Sequence, residues 1–188
     1  YSSAASDVYK RQAQEGFFDV ESVWPKLEQA LRQAISNLVA MRETEGSNIY
    51  GDFIKRADLI AEKLAVIEER SPQVVEEYQI RLSDRINELL AKHNQVIEPE
   101  RLLQEVAIFA DRTSITEEIV RLKSHIKQFR LIIDADQPVG RKLDFLIQEF
   151  NREANTIASK ANDYTLAQVV VEIKAEIEKI REQIQNIE

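Results

Sequence analysis

Hydrophobic residues recur along most of this chain at alternating steps of three and four, the spacing of one face of an α-helix. In the first half of the chain this pattern predicts three helices, over residues 21–45, 52–70 and 72–92. Gly46 and Gly51 are expected to separate the first two helices. Ser71 and Pro72 are expected to begin the third, as an N-cap and a proline in the first turn, where a missing N–H is tolerated.

The second half of the chain continues the pattern and predicts four more helices. They are expected to run from Pro99 to about Asp111, from Ser114 to Ile133, over about 141–160, and from Asn162 to the C-terminus. Ser114 and Glu117 form a capping-box pattern, and Asn162 and Asp163 are expected to end the sixth predicted helix and cap the seventh. The last helix keeps its apolar spacing over about three heptads, which is typical of a coiled-coil seam. Either the fifth predicted helix or another subunit would cover that seam.

These helices predict an all-α fold in which helical hairpins form a coiled-coil-like antiparallel bundle. The 188 residues include only 4 glycines, which is too little turn chemistry for a β-sandwich or barrel. The sequence has no apolar run long enough to span a membrane. It also has no cysteine, which excludes disulfides, thiolate zinc sites and cysteine nucleophiles. A cytoplasmic location agrees with these features.

The net charge of −8 counts against a simple nucleic-acid binder, because RNA binding neutralises phosphates with lysine and arginine. A local basic stripe or a bound divalent cation would offset that charge. The sequence has no phosphate-binding loop and no dinucleotide fingerprint, so nucleotide hydrolysis and dinucleotide redox chemistry have no support. The aromatic residues are scattered at expected core positions, so no base-stacking platform is predicted.

The segment 140–161, GRKLDFLIQEFNREANTIASKA, is polar beyond what solubility requires. Its apolar face is opposed by a polar stripe of Asp144, Gln148, Asn151, Arg152 and Asn155. Asparagine and serine are mediocre helix formers, so their use in this helix indicates a further task.

This segment resembles the C-terminal end of the YicC family, a group of bacterial proteins regarded as metal-dependent endoribonucleases. Residues 101–130 and the string LVAMRETEG at 38–46 resemble further family segments, so the resemblance covers roughly residues 16–188. It implies a cytoplasmic enzyme that acts on RNA, needs a divalent cation (Mn²⁺ or Mg²⁺) and has no membrane association. It also implies a homo-oligomer, with a ring-like hexamer as the size suggested by the family.

The resemblance also implies a domain division. Residues 1–12 do not fit the family and are expected to be non-native or disordered. Residues 13–97 would form a helical middle region, and residues 98–188 a C-terminal helical domain. The family has an additional N-terminal part with β-structure, and we expect this chain to be a fragment that lacks most of it.

Two carboxylates and a histidine are the candidates for catalysis. Glu149 and Glu153 lie four residues apart, hence one turn apart on one helix face, where they could share a divalent cation. His125 could act as general acid or base or as a metal ligand, and Glu118, on its stripe, could add a further ligand. The alternative is that Glu149 and Glu153 belong to a solvated helix face and that His125 is a surface residue satisfied by Glu118.

Basic residues near these candidates form a possible phosphate track. Lys123, Lys127 and Arg130 follow one stripe of the fifth predicted helix, and Arg141 comes soon after the turn. Arg152, between the two glutamates in sequence, could bind a phosphate bidentately. The alternative is again an ordinary solvated face.

Two hypotheses follow from the residues and the resemblance. In the first, the chain is part of a metal-dependent endoribonuclease that hydrolyses RNA phosphodiester bonds. In the second, it is a non-catalytic helical oligomerisation or scaffold module, and the chemistry lies in the missing N-terminal half. The direction in which Glu149, Arg152 and Glu153 point discriminates between them: a cleft favours the first, and internal ion pairs favour the second.

Overall fold

The computed structural model describes residues 20–91, 98–135, 137–185 and 187. Five helices account for most of them: α1 (Val20–Ala91), α2 (Pro99–Thr113), α3 (Thr116–Ile133), α4 (Gly140–Lys160) and α5 (Tyr164–Ile184). No strand occurs in this part of the chain, so the prediction of an all-α fold is confirmed. Residues 1–12 lie outside the described residues.

The first three predicted helices are one continuous helix, and the predicted breaks are wrong. A Cβ added to Gly46 or Gly51 would meet nothing within 4 Å, so these glycines fit a helix at only the usual propensity cost. Pro72 leaves one backbone carbonyl without its usual donor. The buried seam nevertheless continues in phase past the proline, from Ile67 to Val74, and packing on both sides outweighs that local cost.

The other predicted helices are confirmed to within a few residues. The N-cap predicted for α5 is confirmed, and the one predicted for α3 is wrong. Asp163 caps α5, where its carboxylate accepts a hydrogen bond from the backbone N–H of Leu166 at 2.9 Å. The capping box predicted at Ser114 is wrong, because the N-cap of α3 is Ile115 and no side chain caps this helix. Ile115 is instead a buried core residue that fixes the start of α3 by packing.

The chain separates into two compact units, residues 1–47 and 48–188. Described residues of the first unit lie on α1 and expose large apolar side chains, namely Val23, Trp24, Leu27, Leu31, Ile35, Leu38, Val39 and Met41. The second unit holds the buried core. The domain boundary expected at residue 97 stays a prediction.

In the second unit, α1, α3, α4 and α5 form an up-down-up-down bundle. Side-chain contacts between α1 and α3 run antiparallel, from Tyr50 with Asp134 (2.8 Å) to Glu68 with Lys123 (2.5 Å). Contacts between α1 and α5 are also antiparallel: they include Arg56 with Glu176, Lys63 with Glu172, and Arg70 with Asp163. Since α4 packs against both α3 and α5, α1 and α4 each lie between those two helices.

The apolar seam of α5 is covered within the chain. Leu166, Val170, Ile173, Ile177, Ile180 and Ile184 are all buried. They join the same core as the seams of α1, α3 and α4. A second subunit is therefore not needed to cover this heptad repeat.

Among the described residues, none of the helices has the length and apolar character that a membrane span requires.

Candidate metal centre and phosphate groove

Three predicted site residues converge where α3 packs against α4. One nitrogen of His125 and one carboxylate oxygen each from Glu149 and Glu153 lie within 4.8 Å of one another. His125 projects from α3 toward α4, and its ring centroid is 6.3 Å from that of Phe150. The two glutamates follow each other by one turn on α4, as the sequence predicts. A single cation could therefore reach one ligand atom from each residue.

The three ligands differ in burial, and Glu153 is the most enclosed. Glu153 is only 3% exposed, while His125 and Glu149 are half-buried. A buried carboxylate is costly unless a positive charge or hydrogen bonds compensate it. The nearest cation to Glu153 is the guanidinium of Arg121 at 3.8 Å, which is too long for a hydrogen bond. The side chain is therefore held in place with its charge only loosely compensated.

The imidazole of His125 has an unused nitrogen. Nδ1 is buried and has no hydrogen-bond partner within the described part of the chain. Buried polar nitrogens are nearly always paired, so an unpaired one on a side chain of this cluster calls for an explanation. A divalent cation accepted by all three groups fits this donor set, because neutral imidazole and carboxylates are both metal ligands.

Glu118, the third metal ligand predicted from the sequence, does not belong to this cluster. Its carboxylate is buried and accepts a hydrogen bond from Nζ of Lys160 at 2.6 Å, which joins the start of α3 to the end of α4. Burial alone would raise the pKa of Glu118, but the hydrogen bond from Lys160 holds it below its ordinary value. The geometry gives Glu118 a structural ion pair.

An open groove of about 420 Å³ adjoins the cluster, and its lining includes both His125 and Glu149. Its other lining residues are Gln128, Ile132, Arg141, Lys142, Phe145 and Leu146. The two cations among them, Arg141 and Lys142, begin α4 and form no salt bridge with any described residue. Positive charge without an internal partner is available to a phosphate.

The five predicted phosphate contacts differ in whether their charge is already paired within the protein. Lys123 pairs with Glu68 at 2.5 Å and Arg130 with Asp58 at 2.6 Å, so both tie α3 to α1. Arg152 lies 3.5 Å from Glu149 on its own helix. Lys127 and Arg141 are exposed and have no ionic partner among the described residues. Only these last two have their charge free for an external anion.

The polar stripe of α4 forms a second surface. Gln148, Asn151, Arg152 and Asn155 line an open groove of about 500 Å³ with Thr156 and with Arg181 of α5. Asp144 lies one turn before Gln148 and accepts a hydrogen bond from its amide at 2.9 Å. The cluster of His125, Glu149 and Glu153 is not part of this lining. The segment therefore presents two different faces to solvent.

Phe145 is the groove residue that the sequence pattern missed. The scattered aromatic residues are predicted to be core residues, but the Phe145 side chain is 64% exposed. The sequence does contain a signal for this exposure, because Phe145 falls between the core positions Leu143 and Leu146 and off the apolar stripe of α4. A helix position outside the stripe faces solvent.

The fold and the site together define a class of helical bundle with a His–Glu–Glu cluster beside a cationic groove. Residues 67–188 match the family described as "Endoribonuclease YicC-like, C-terminal". This chain belongs to that family, and the resemblance seen in the sequence is confirmed.

Two relatives extend the match toward the N-terminus. A protein of Clostridioides difficile named "Probable endoribonuclease YicC" is 51% identical over 170 residues, which is 90% of this chain and 58% of that relative. A protein of Haemophilus influenzae with the same name is 36% identical over 170 residues. The chain spans 58% of the length of each relative, so both contain a further region that this chain does not.

Proposed function

We propose that this chain contributes the metal and phosphate site of an endoribonuclease that hydrolyses RNA phosphodiester bonds. One observation carries the proposal: His125, Glu149 and Glu153 converge within 4.8 Å in a member of the YicC-like family. The names of the two relatives support RNA as the substrate. The unpaired cations beside the cluster support binding of a polyanion in spite of the net charge of −8.

Glu149, Glu153 and His125 would hold a divalent cation through two carboxylates and one imidazole. When bound, such a cation neutralises phosphate charge and makes a water molecule more acidic. Mg²⁺ prefers an all-oxygen environment, so the nitrogen ligand favours Mn²⁺ or another first-row ion over Mg²⁺. In this proposal His125 serves as a ligand and not as the general acid or base that the sequence also allows, because one of its ring nitrogens lies within 4.8 Å of a carboxylate oxygen of each glutamate and its Nδ1 has no hydrogen-bond partner among the described residues.

Arg141, Lys142 and Lys127 would hold the RNA backbone. Arg141 and Lys142 line the groove that contains Glu149, which would place a bound phosphate next to the carboxylate pair. Lys127 is exposed on α3 outside this groove and could bind a phosphate farther along the RNA backbone. Lys123 and Arg130 would act indirectly, by fixing α3 on α1.

The test is Mn²⁺ binding to the full-length protein, measured by electron paramagnetic resonance and by calorimetry. Glu149→Gln and Glu153→Gln each remove one ligand charge with little change in shape, and each should weaken Mn²⁺ binding by about tenfold or more. Glu178→Gln is the matched control, since Glu178 pairs with Arg181 on α5, away from the cluster. Mg²⁺ should bind more weakly than Mn²⁺ to the wild-type protein.

Cleavage of a structured RNA in Mn²⁺ is the second measurement. The two ligand variants should lose cleavage while keeping their melting temperature and oligomeric state, and Glu178→Gln should cleave like the wild type. Unchanged Mn²⁺ affinity and cleavage in both ligand variants would remove these carboxylates from the mechanism.

The scaffold hypothesis also has a specific observation in its favour. The described part of the first unit exposes a row of apolar side chains that includes Trp24, Leu27 and Leu31. A contiguous row of exposed apolar side chains is typical of an interaction surface. We propose that it contributes to a homo-oligomer, whose size stays a prediction. Assembly and catalysis are compatible, because the metal ligands lie in the second unit.

A further inference from the structure

Phe145 has an exposure that core packing does not explain. Its phenyl ring is 64% exposed on α4, although its neighbours Leu143 and Leu146 are buried. It precedes Glu149 by one turn, so the two side chains lie on the same face of α4. The ring lines the groove that also contains His125 and Glu149. An aromatic surface therefore adjoins the candidate metal ligands.

Exposure alone does not distinguish this ring, because single exposed apolar residues are common. Its position in the groove distinguishes it from the other exposed apolar residues. Val120, Leu131 and Val171 are similarly exposed, yet none of them lines this groove. Tyr164 is an even more exposed aromatic residue, at 83%, and it also lies outside the groove.

The groove matches the two chemical parts of a nucleotide. Arg141 and Lys142 offer positive charge to a phosphate, and neither has an ionic partner among the described residues. Phe145, together with Leu146 and Ile132 in the same lining, offers an apolar surface for a planar base. Aromatic rings beside a cationic track are the common means of binding single-stranded nucleic acid, because every base has a π-face.

We propose that Phe145 stacks on an unpaired nucleobase of the RNA and so places the adjoining phosphate beside Glu149 and His125. The substrate class is then single-stranded RNA, or an unpaired loop in a structured RNA, because a base within a duplex cannot present its face to a side chain. The inference rests on the proposed function and deepens it by adding a residue that selects the substrate.

The test uses the full-length protein and short single-stranded RNAs that contain 2-aminopurine at one position, whose fluorescence falls on stacking. Binding is measured in EDTA, where metal-dependent cleavage does not occur. Phe145→Ala should lower RNA affinity by about tenfold and restore the 2-aminopurine fluorescence. Phe145→Trp should keep both properties. Tyr164→Ala is the matched control, as an exposed aromatic residue outside the groove, and should bind like the wild type.

A scan with abasic nucleotides separates a base contact from a general loss of binding. The penalty of Phe145→Ala should disappear when one particular base is absent from the RNA, because there is then nothing to stack. Fully paired duplex RNA should bind weakly and equally to the wild type and the variant.

Three results would overturn the inference: unchanged affinity of Phe145→Ala, an equal penalty at every abasic position, or a changed molar mass that indicates a subunit contact at Phe145. These outcomes are distinct from failure of the proposed function, which is tested by Mn²⁺ affinity and cleavage in Glu149→Gln. A protein with normal Glu149 dependence and no Phe145 dependence would keep its function and lose only this inference.

Discussion

Asp163 makes two contacts that link the start of α5 to α1. One oxygen accepts the N-cap hydrogen bond from Leu166 at 2.9 Å, and the other accepts from Arg70 at 2.8 Å. The hydrogen bond from Arg70 holds the pKa of the Asp163 carboxyl below its ordinary value of 3.8. Folding therefore favours the ionised form of this side chain.

This shift predicts a pH-dependent variant. Because the folded-state pKa is lowered, Asp163 stabilises the fold above pH 3.8 and loses that contribution as the pH falls through the folded-state pKa. Asp163→Asn keeps a good N-cap but removes the charge, so it should destabilise the protein at about pH 7 and less at about pH 3. Asp163→Ala should lose about 1 kcal/mol more than Asp163→Asn at neutral pH, because it also loses the cap. Urea unfolding at both pH values measures these differences, and an equal loss at both would contradict the predicted sign.

For single residues, the sequence predicts contacts between neighbours in the chain but not contacts between residues on different helices. The cap at Asp163 follows from neighbouring residues, whereas Arg70 is on another helix and its role depends on how the helices pair. The same holds for Glu118, whose stripe on α3 indicates His125 as its neighbour but whose partner is Lys160. Helix periodicity defines a face, and only the packed structure shows what that face meets.

At the scale of elements, α1 is where the sequence reasoning failed. Glycine and proline are strong local signals for breaks, but the helix runs through all of them, and after Gly51 a buried seam from Phe53 to Val74 passes Pro72 in phase. For α2 to α5 the spacing of hydrophobic residues predicts the helices correctly to within a few residues. At Pro72, burial of this seam therefore outweighs the local propensity for a break.

Because α1 is continuous through Pro72, we predict that this proline lowers the free energy of unfolding. Pro72→Ala should restore a backbone N–H that can bond to the carbonyl of Glu68, and the free energy of unfolding should rise by about 2 kcal/mol. Pro99→Ala is the matched control, because Pro99 opens α2, where no helical donor is needed, and little change is expected. Urea unfolding of both variants gives the comparison. A destabilised Pro72→Ala variant would indicate that the proline stabilises α1 through the unfolded chain instead.

The arrangement of the whole molecule determines how the candidate site forms. His125, Glu149 and Glu153 are all identifiable from the sequence as candidates, but not as one cluster, because the sequence does not show that α3 presents His125 to α4. The bundle provides that juxtaposition. It also explains why Lys123 and Arg130, on the same helix as Lys127, are engaged by α1 while Lys127 is not.

A prediction about assembly also belongs to this scale. Leu31→Glu introduces charge into the exposed apolar row of the first unit, where Leu31 is 57% exposed. It should lower the molar mass of the full-length protein measured by light scattering after size exclusion. Val171→Glu, at a residue that is 66% exposed on α5, should not change the mass. An unchanged mass in Leu31→Glu would remove this row from any subunit interface.

The order of the helices in the bundle has a consequence for synthesis. The buried seam of α1 includes Phe53, Ile60 and Leu64, and the helices that cover it, α3 and α5, come later in the chain. A ribosome makes the chain from its N-terminus, so this seam leaves the exit tunnel before its cover has been translated. During that interval a chaperone or a neighbouring nascent chain can bind to the exposed seam.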